Sequence, residues 1–177
     1  MKTLYLIRHE KSSWSVPDLS DIERDLSKRG FKDINTIGSY LSLKNISPDI
    51  ILSSCALRAA QTSDLLAKKM QSSSPIHYLS EFYLTSSESM REIIMVQDES
   101  VQSMFIVGHN PQLTELANIL TDEHIAKLPT LGVVAIEFDI QEWSELEDVK
   151  GKIDFFIYPK QFQYYMPRSM REMITPR

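Results

Sequence analysis

The sequence predicts an α/β domain, a three-layer α/β/α sandwich in which helices cover both faces of a mostly parallel central sheet. Three short apolar runs, at residues 4–7, 50–52 and 104–107, lack polar alternation, which is typical of strands buried on both faces. Each run is followed by a segment in which apolar residues recur at helical spacing. Because alternating strands and helices favour parallel pairing, we expect the three runs to form the centre of one sheet.

The first part of the chain contains one strand-helix-strand unit. A polar loop after the run at 4–7 leads to Ser27, a residue type that favours the helix N-cap. Apolar residues at 31, 34, 37 and 41 then predict an amphipathic helix that ends before Pro48. The strand at 50–52 is followed by a segment rich in Ala, Leu and Lys, and this composition favours a second helix.

The later elements continue this alternation and then depart from it. Residues 76–79 are predicted to form a short edge strand, and the strand at 104–107 is followed by Asn110, the expected N-cap of another helix. No apolar helix separates 133–138 from 153–158. These last two strands are therefore predicted to pair as an antiparallel hairpin.

The length of 177 residues indicates one domain, which we assign to 1–158, followed by a C-terminal tail at 159–177. The tail carries four basic residues and one acidic residue, and we expect it to pack on the otherwise acidic domain. A net charge of −5 argues against a nucleic-acid partner. No apolar run approaches the ~20 residues of a membrane span, and no signal peptide is evident, so no membrane partner and a cytoplasmic location are expected. The sequence leaves the oligomeric state open.

Metal and cofactor sites are not expected. The single cysteine, Cys55, has no neighbour at metal-ligand spacing and no second cysteine with which to form a disulfide, which fits a reducing compartment. The five glycines build neither a Walker nor a Rossmann fingerprint.

Basic side chains stand at the ends of the three central strands. Arg8 and His9 follow the first run, Arg58 lies in the first turn expected after the second run, and His109 follows the third run. The carboxyl ends of parallel strands meet at one edge of a sheet, so these four residues are expected to share one crevice. Guanidinium groups and helix N-termini both favour an anion with several acceptor oxygens, and the sequence therefore predicts a phosphate site.

A histidine in such a site can also react. Its unperturbed pKa near 6.5 leaves much of the imidazole neutral at pH 7, and a neutral ring nitrogen can attack phosphorus. Transfer to His9 would divide hydrolysis into two steps, while Arg8 and Arg58 would stabilise the oxygens of the phosphoryl group during transfer.

The segments LYLIRHEKSSW, SSCALRAAQT and MFIVGHNPQL resemble, in order and spacing, the three signature segments of the histidine phosphatase superfamily, and most closely its short phosphohistidine phosphatase branch. The resemblance implies a phosphoglycerate mutase-like fold and no metal. It also implies that His9 is the phosphorylated nucleophile, that Arg8 and Arg58 bind phosphate, and that His109 is the second histidine of the pocket.

Residues of the loop after His9 are further candidates for substrate binding. The stretch ERDLSKRG is similar to a loop of the short branch, which implies that Arg24 lies near the pocket mouth, and Ser12 could also contact substrate. Two positions depart from the family pattern. Asp25 stands where proline is usual, and Glu10 stands where a small residue is usual, although a carboxylate beside a phosphate site would repel the ligand.

The proton donor is less clear from the sequence. Glu81, just after the edge strand, is the carboxylate best placed to protonate the leaving group of a phosphate ester. A phosphohistidine substrate needs little such help, because its leaving imidazole has a conjugate-acid pKa near 6.5. The sequence therefore predicts a metal-independent phosphatase that acts on phosphohistidine or on a small phosphorylated molecule. A phosphomutase and a non-catalytic phospho-ligand binding module are the alternatives.

Overall fold

The computed structural model of the protein describes residues 1–12 and 20–164, without the side chains of 163 and 164. The strands are β1 (Lys2–Arg8), β2 (Ile50–Ser54), β3 (Ile76–Leu79), β4 (Ser103–Gly108), β5 (Val133–Phe138) and β6 (Lys152–Ile157). The helices are α1 (Lys28–Leu43), α2 (Leu57–Met70), α3 (Ser87–Met95), α4 (Gln112–Leu120) and α5 (Pro159–Tyr164). None of the helices in this part of the chain is long and apolar enough to cross a membrane.

The six strands form one sheet in the order β3-β2-β4-β1-β5-β6. Strands β3, β2, β4 and β1 are parallel neighbours, whereas β5 is antiparallel to both β1 and β6. The predicted fold class is confirmed, and so is the antiparallel pairing of the last two strands. The two strands that carry the first and third apolar runs, β1 and β4, lie side by side at the centre of the sheet.

Helices cover both faces of the sheet, which completes the three layers. Side chains of β1 alternate between the faces, as expected for a strand, so that Leu6 packs on one side and Ile7 on the other. Leu6 belongs to a core formed with α3, α4 and the segment around Trp143. Ile7 belongs to a second core formed with α1 and α2, in which Leu66 is fully buried. Burial on both faces explains why β1 shows no polar alternation.

One of the two helix starts is capped as predicted. Ser27 precedes α1, and its Oγ accepts a hydrogen bond from the backbone N–H of Gly30. The predicted N-cap role of Asn110 is wrong, because α4 begins two residues later, at Gln112. The Asn110 side chain instead donates to the carbonyl of Leu128 at 2.8 Å, a residue of the segment that leads into β5. This side chain holds that segment beside the ends of the central strands.

The beginning of the C-terminal tail packs on the domain. Phe162 of α5 is buried in the core on the α1 side, and its ring lies 5.4 Å from that of Tyr40 between centroids. The rest of the predicted tail, residues 165–177, lies outside the described residues.

Candidate active site

Parallel pairing brings the ends of β1 and β4 together, and with them two histidines. Arg8 is in register with Gly108, and the backbone N–H of His9 donates to the Gly108 carbonyl at 2.9 Å. The next residue on the β4 side is His109, and the centroids of the two imidazole rings are 4.9 Å apart. The predicted meeting of strand ends thus places His9 and His109 in one crevice.

The ring of His9 is held in one tautomer. Its Nδ1 lies 2.6 Å from the backbone carbonyl of Glu10, and because a carbonyl only accepts, Nδ1 carries the proton. Nε2 is then the nitrogen with the free lone pair. The pKa of His9 is lowered to about 3, mainly by burial and also by the nearby His109 and Arg58. The hydrogen bond to the Glu10 carbonyl acts in the opposite direction and raises it. The imidazole is therefore neutral at pH 7.

The second histidine bridges β2 and α2. Nε2 of His109 lies 2.8 Å from the Ser54 hydroxyl, at the end of β2, and Nδ1 lies 3.5 Å from a guanidinium nitrogen of Arg58. Since guanidinium only donates, Nδ1 is the unprotonated nitrogen and Nε2–H donates to Ser54. Burial, and then the charge of Arg58, lower the pKa of His109 to about 4. The edge of the Tyr83 ring covers His109, with centroids 5.9 Å apart.

Arg58 lies in the first turn of α2, and it is buried and bound to an acidic residue. Its guanidinium donates to the backbone carbonyl of Asp21 and, at 2.9 Å, to the Asp21 carboxylate. The same carboxylate accepts from Arg24 at 2.9 Å and from the Tyr83 hydroxyl at 3.0 Å. Burial raises the pKa of Asp21, but the hydrogen bonds from Arg24 and Arg58 outweigh it and hold the pKa below its ordinary value.

Arg8 approaches the site from β1. One of its terminal nitrogens donates to the Leu128 carbonyl at 3.0 Å, the same carbonyl that binds Asn110. Its Nε is buried and finds no hydrogen-bond partner within residues 1–12 and 20–164. Arg8 thus carries a guanidinium that is anchored at one end and has an unused donor.

The predicted loop residues also reach the site. Arg24 donates to the hydroxyl of Ser12, so these two side chains lie together at the pocket mouth. A cavity of about 400 Å³ is bounded by basic, imidazole and hydroxyl side chains. They are Arg8, His9, Lys11, Ser12, Arg24, Arg58 and Thr130. The charged side chains among these described residues are all positive, which suits an anion.

The carboxylate of Glu10 turns away from this cavity. One oxygen accepts from the backbone N–H of Lys11 at 2.6 Å, and the other is buried without a hydrogen-bond partner among the described residues. Burial raises the pKa of Glu10 to about 7, although the hydrogen bond from Lys11 lowers it. Its Cγ lies 2.7 Å from where a β-carbon on Gly30 would stand, so the side chain occupies space that the glycine leaves. The repulsion expected from Glu10 is thus avoided.

The other acidic candidates lie outside the pocket. Glu81 is exposed, its carboxylate accepts from Ser80, and hydrogen bonds from its own backbone and from Ser80 lower its pKa. A general acid needs a raised pKa and contact with the leaving group, so this environment does not favour Glu81 in that role. Asp25 is exposed and accepts from the backbone N–H of Leu26 at 2.7 Å.

Five residues of the site have no prediction from sequence, namely Lys11 and Thr130 of the cavity wall and Asp21, Ser54 and Tyr83 around it. Ser54 ends β2 and could have been found by the same strand-end argument as Arg8. Asp21 and Tyr83 lie in or next to short 3₁₀ turns, which give no periodic signal. Within the described ranges, no three His, Cys, Asp or Glu side chains are grouped as metal ligands.

Comparisons with known proteins identify the family of the chain. A family model for the histidine phosphatase superfamily (branch 1) matches residues 4–106. An uncharacterized chloroplastic protein of Arabidopsis thaliana is 28% identical over 159 residues, 85% of this chain and 72% of its own length. An uncharacterized protein of Mycobacterium tuberculosis is 28% identical over 152 residues, 80% of this chain and 92% of its own length.

Solved structures show the same fold. The structure of a proposed phosphohistidine phosphatase, SixA, from Agrobacterium tumefaciens has a TM-score of 0.78 and 28% identity, and covers 89% of this chain and 98% of its own. The tungstate complex of a protein histidine phosphatase SixA also has a TM-score of 0.78, with 18% identity and coverage of 90% and 98%.

Proposed function

The chain belongs to the histidine phosphatase superfamily (branch 1) and is a phosphatase, and we propose that it hydrolyses its substrate through a covalent phosphohistidine intermediate on His9. Nε2 of His9 attacks phosphorus and the bond to the leaving group breaks. Water then attacks the phosphorus of the phosphohistidine, the P–N bond to His9 breaks, and inorganic phosphate is released. The observation that carries this proposal is the 2.6 Å contact between Nδ1 of His9 and the Glu10 carbonyl, which holds the ring proton on Nδ1 and leaves the lone pair on Nε2.

The basic side chains around His9 would bind the group in transfer. Arg58, Arg8 and Arg24 present guanidinium groups to the cavity, and such groups stabilise the charge on the oxygens of a transferring phosphoryl group. A phosphate oxygen that binds Arg58 would take the place that the Asp21 carboxylate now holds. His109 lies beside Arg58, with Nδ1 3.5 Å from a guanidinium nitrogen, and would help to hold that guanidinium while phosphate binds.

The substrate class that we propose is a phosphoramidate, and within it a phosphohistidine. Among the described residues, no carboxyl of raised pKa bounds the cavity, so none of them would protonate a departing alcohol. Imidazole is a better leaving group, because its conjugate acid has a pKa near 6.5. The likeness to a proposed SixA phosphohistidine phosphatase supports the same class. We further propose a cytoplasmic location, since the lone Cys55 fits a reducing compartment.

The test is phosphate release from a phosphohistidine peptide by the purified protein with a chelator present. We expect wild-type turnover and retention of labelled phosphate on the protein after an alkaline quench, which preserves phosphohistidine. His9→Ala should lose both, by at least a thousandfold in rate. His124→Ala, which changes an exposed histidine, is the matched control.

Two outcomes would reject the mechanism: equal activity of His9→Ala, or loss of wild-type activity on adding the chelator. Asp21 already pairs with Arg58. If wild-type protein bound the phosphorylated peptide without releasing phosphate, this peptide would not be a substrate, and the proposed phosphohistidine specificity would be wrong.

A further inference from the structure

A second cavity, of about 590 Å³, adjoins the phosphate pocket and shares Arg8, Lys11 and Thr130 with it. We name it the basic groove, after four of the side chains that bound it, Lys11, Arg29, Lys127 and Lys160. They come from the loop after β1, from α1, from the segment between α4 and β5, and from α5. Four separate parts of the chain thus bring positive charge to one concavity.

The groove stays positive after its acidic residues are counted. Asp33 is paired with Arg29 at 3.4 Å, and burial raises the pKa of Glu10 to about 7, so its carboxyl is partly neutral at neutral pH. The three lysines make no ion pair within the described part of the chain. The whole protein has a net charge of −5, so this concentration of free positive charge is local.

We propose that the basic groove binds a second anionic group, phosphate or carboxylate, of the substrate whose phosphoryl group lies at His9. The inference rests on the proposed function, because it uses the pocket at His9 as the first of two anchor points. A cavity of this volume accommodates part of a small ligand or a few side chains of a peptide. The groove would therefore select substrates with a second negative charge close to the phosphoryl group.

Two sources of that charge can be separated by matched substrates. One pair consists of phosphohistidine peptides that differ only in having Glu or Gln beside the phosphohistidine. The other pair is 4-carboxyphenyl phosphate and phenyl phosphate. The preference is the ratio of kcat/KM for the acidic and the neutral member of a pair, so it cancels effects on the common chemical step.

We expect wild-type protein to prefer the acidic member of at least one pair. Lys127→Gln and Lys160→Gln should each reduce that preference about threefold to fivefold, the upper part of the range for exposed ion pairs, and the double variant by about tenfold. Added salt should reduce it in the same direction. The control is Lys152→Gln, which changes an exposed lysine far from the groove. Lys152 on β6 pairs with Glu137 on β5, and Glu137 pairs with Thr3, at the opposite end of β1 from Arg8.

Each outcome decides the inference. A preference confined to the peptide pair assigns the second charge to a protein substrate, and one confined to the aryl pair assigns it to a small molecule. No preference in either pair, or a preference that survives in the double variant, overturns the inference while phosphatase activity stands. If no substrate turns over, the proposed mechanism fails, and fluorescence anisotropy with the labelled peptides still measures whether the two lysines favour the acidic one.

Discussion

The carboxylate of Asp21 binds two of the arginines in the pocket. Asp21 accepts hydrogen bonds from Arg24, Arg58 and Tyr83, which come from three different segments. An incoming phosphate needs the same guanidinium donors, so Asp21 and the substrate compete for Arg58. Because about half of the Asp21 side chain is exposed, solvent weakens its ion pairs and makes the exchange feasible.

Removal of this charge should strengthen phosphate binding. We expect Asp21→Asn to lower the inhibition constant of inorganic phosphate about threefold to tenfold, because Arg58 no longer has an anionic partner. Glu23→Gln is the control, since Glu23 lies in the same 3₁₀ turn and contacts Ser20 instead. Weaker phosphate binding by Asp21→Asn would instead mean that Asp21 is needed to hold the arginines in place.

The lowered pKa of His9 predicts the acid limb of the pH–rate profile. Protonated imidazole has no lone pair at Nε2, so activity is lost only when pH falls towards the pKa of the ring, which is about 3 in the free protein. We therefore expect kcat/KM, corrected for ionisation of the substrate, to stay within about twofold between pH 7 and pH 5. A tenfold loss per pH unit that begins near pH 6.5 would contradict the lowered pKa of His9.

At the scale of elements, the sequence predicts the part of the site that lies at the ends of the strands. Arg8, His9 and His109 each follow an apolar run directly, and parallel pairing aligns the ends of such runs, so their proximity could be expected. Asp21 and Tyr83 could not be predicted in the same way. Asp21 lies 37 residues from Arg58 and 62 from Tyr83, and their contact depends on how two aperiodic turns fold over the sheet edge.

Helix starts also show that sequence predicts local contacts better than contacts between distant segments. Ser27 caps α1 through a bond to a residue three positions away, which local sequence can encode. The Asn110 side chain has the chemistry of a cap, but it binds the Leu128 carbonyl, 18 residues away, and Thr114 within α4. A tertiary contact has replaced the local one, and sequence alone does not distinguish them.

The packing of α1 on the β1 loop depends on a glycine, which a double-variant cycle can test. Gly30→Ala would place Cβ 2.7 Å from Cγ of the buried Glu10, so we expect a loss of about 1–3 kcal/mol in the free energy of unfolding. In a Glu10→Ala background the contact is gone. The same change should there be neutral or stabilising by up to about 1 kcal/mol, since Ala favours helix over Gly.

Chemical denaturation of the four proteins measures the coupling between the two positions. An equal effect of Gly30→Ala in both backgrounds would show that Glu10 does not fill the space beside the helix.

At the scale of the whole molecule, the buried groups of the site give opposing pH dependences of stability. His9 and His109 have folded pKa values of about 3 and 4 against 6.5 in the unfolded chain, so the unfolded chain binds more protons below pH 6.5 and stability falls as pH decreases. Glu10 acts in the opposite sense. Its pKa is about 7 in the folded protein against an ordinary 4.5. Its contribution to the free energy of unfolding is therefore complete below pH 4.5 and is lost as pH rises through 7. The opposing effects of the histidines and Glu10 place the maximum of the free energy of unfolding near neutral pH.

The contribution of Glu10 can be isolated with Glu10→Gln, which keeps the shape of the side chain and removes its titration. We expect the variant to gain about 2.5 kcal/mol in the free energy of unfolding relative to wild type between pH 5 and pH 8.5, because only the wild type must ionise a buried carboxyl over this range. Below about pH 4.5, where Glu10 is protonated in both the folded and the unfolded wild type, the loss of stability due to the two histidines should be the same in both proteins. Glu92→Gln, at an exposed position of α3, serves as the control and should follow the wild type throughout. Free energies of unfolding from denaturant titrations at each pH provide the comparison, and parallel curves for Glu10→Gln and wild type would mean that the Glu10 carboxyl ionises as freely in the folded protein as in the unfolded chain.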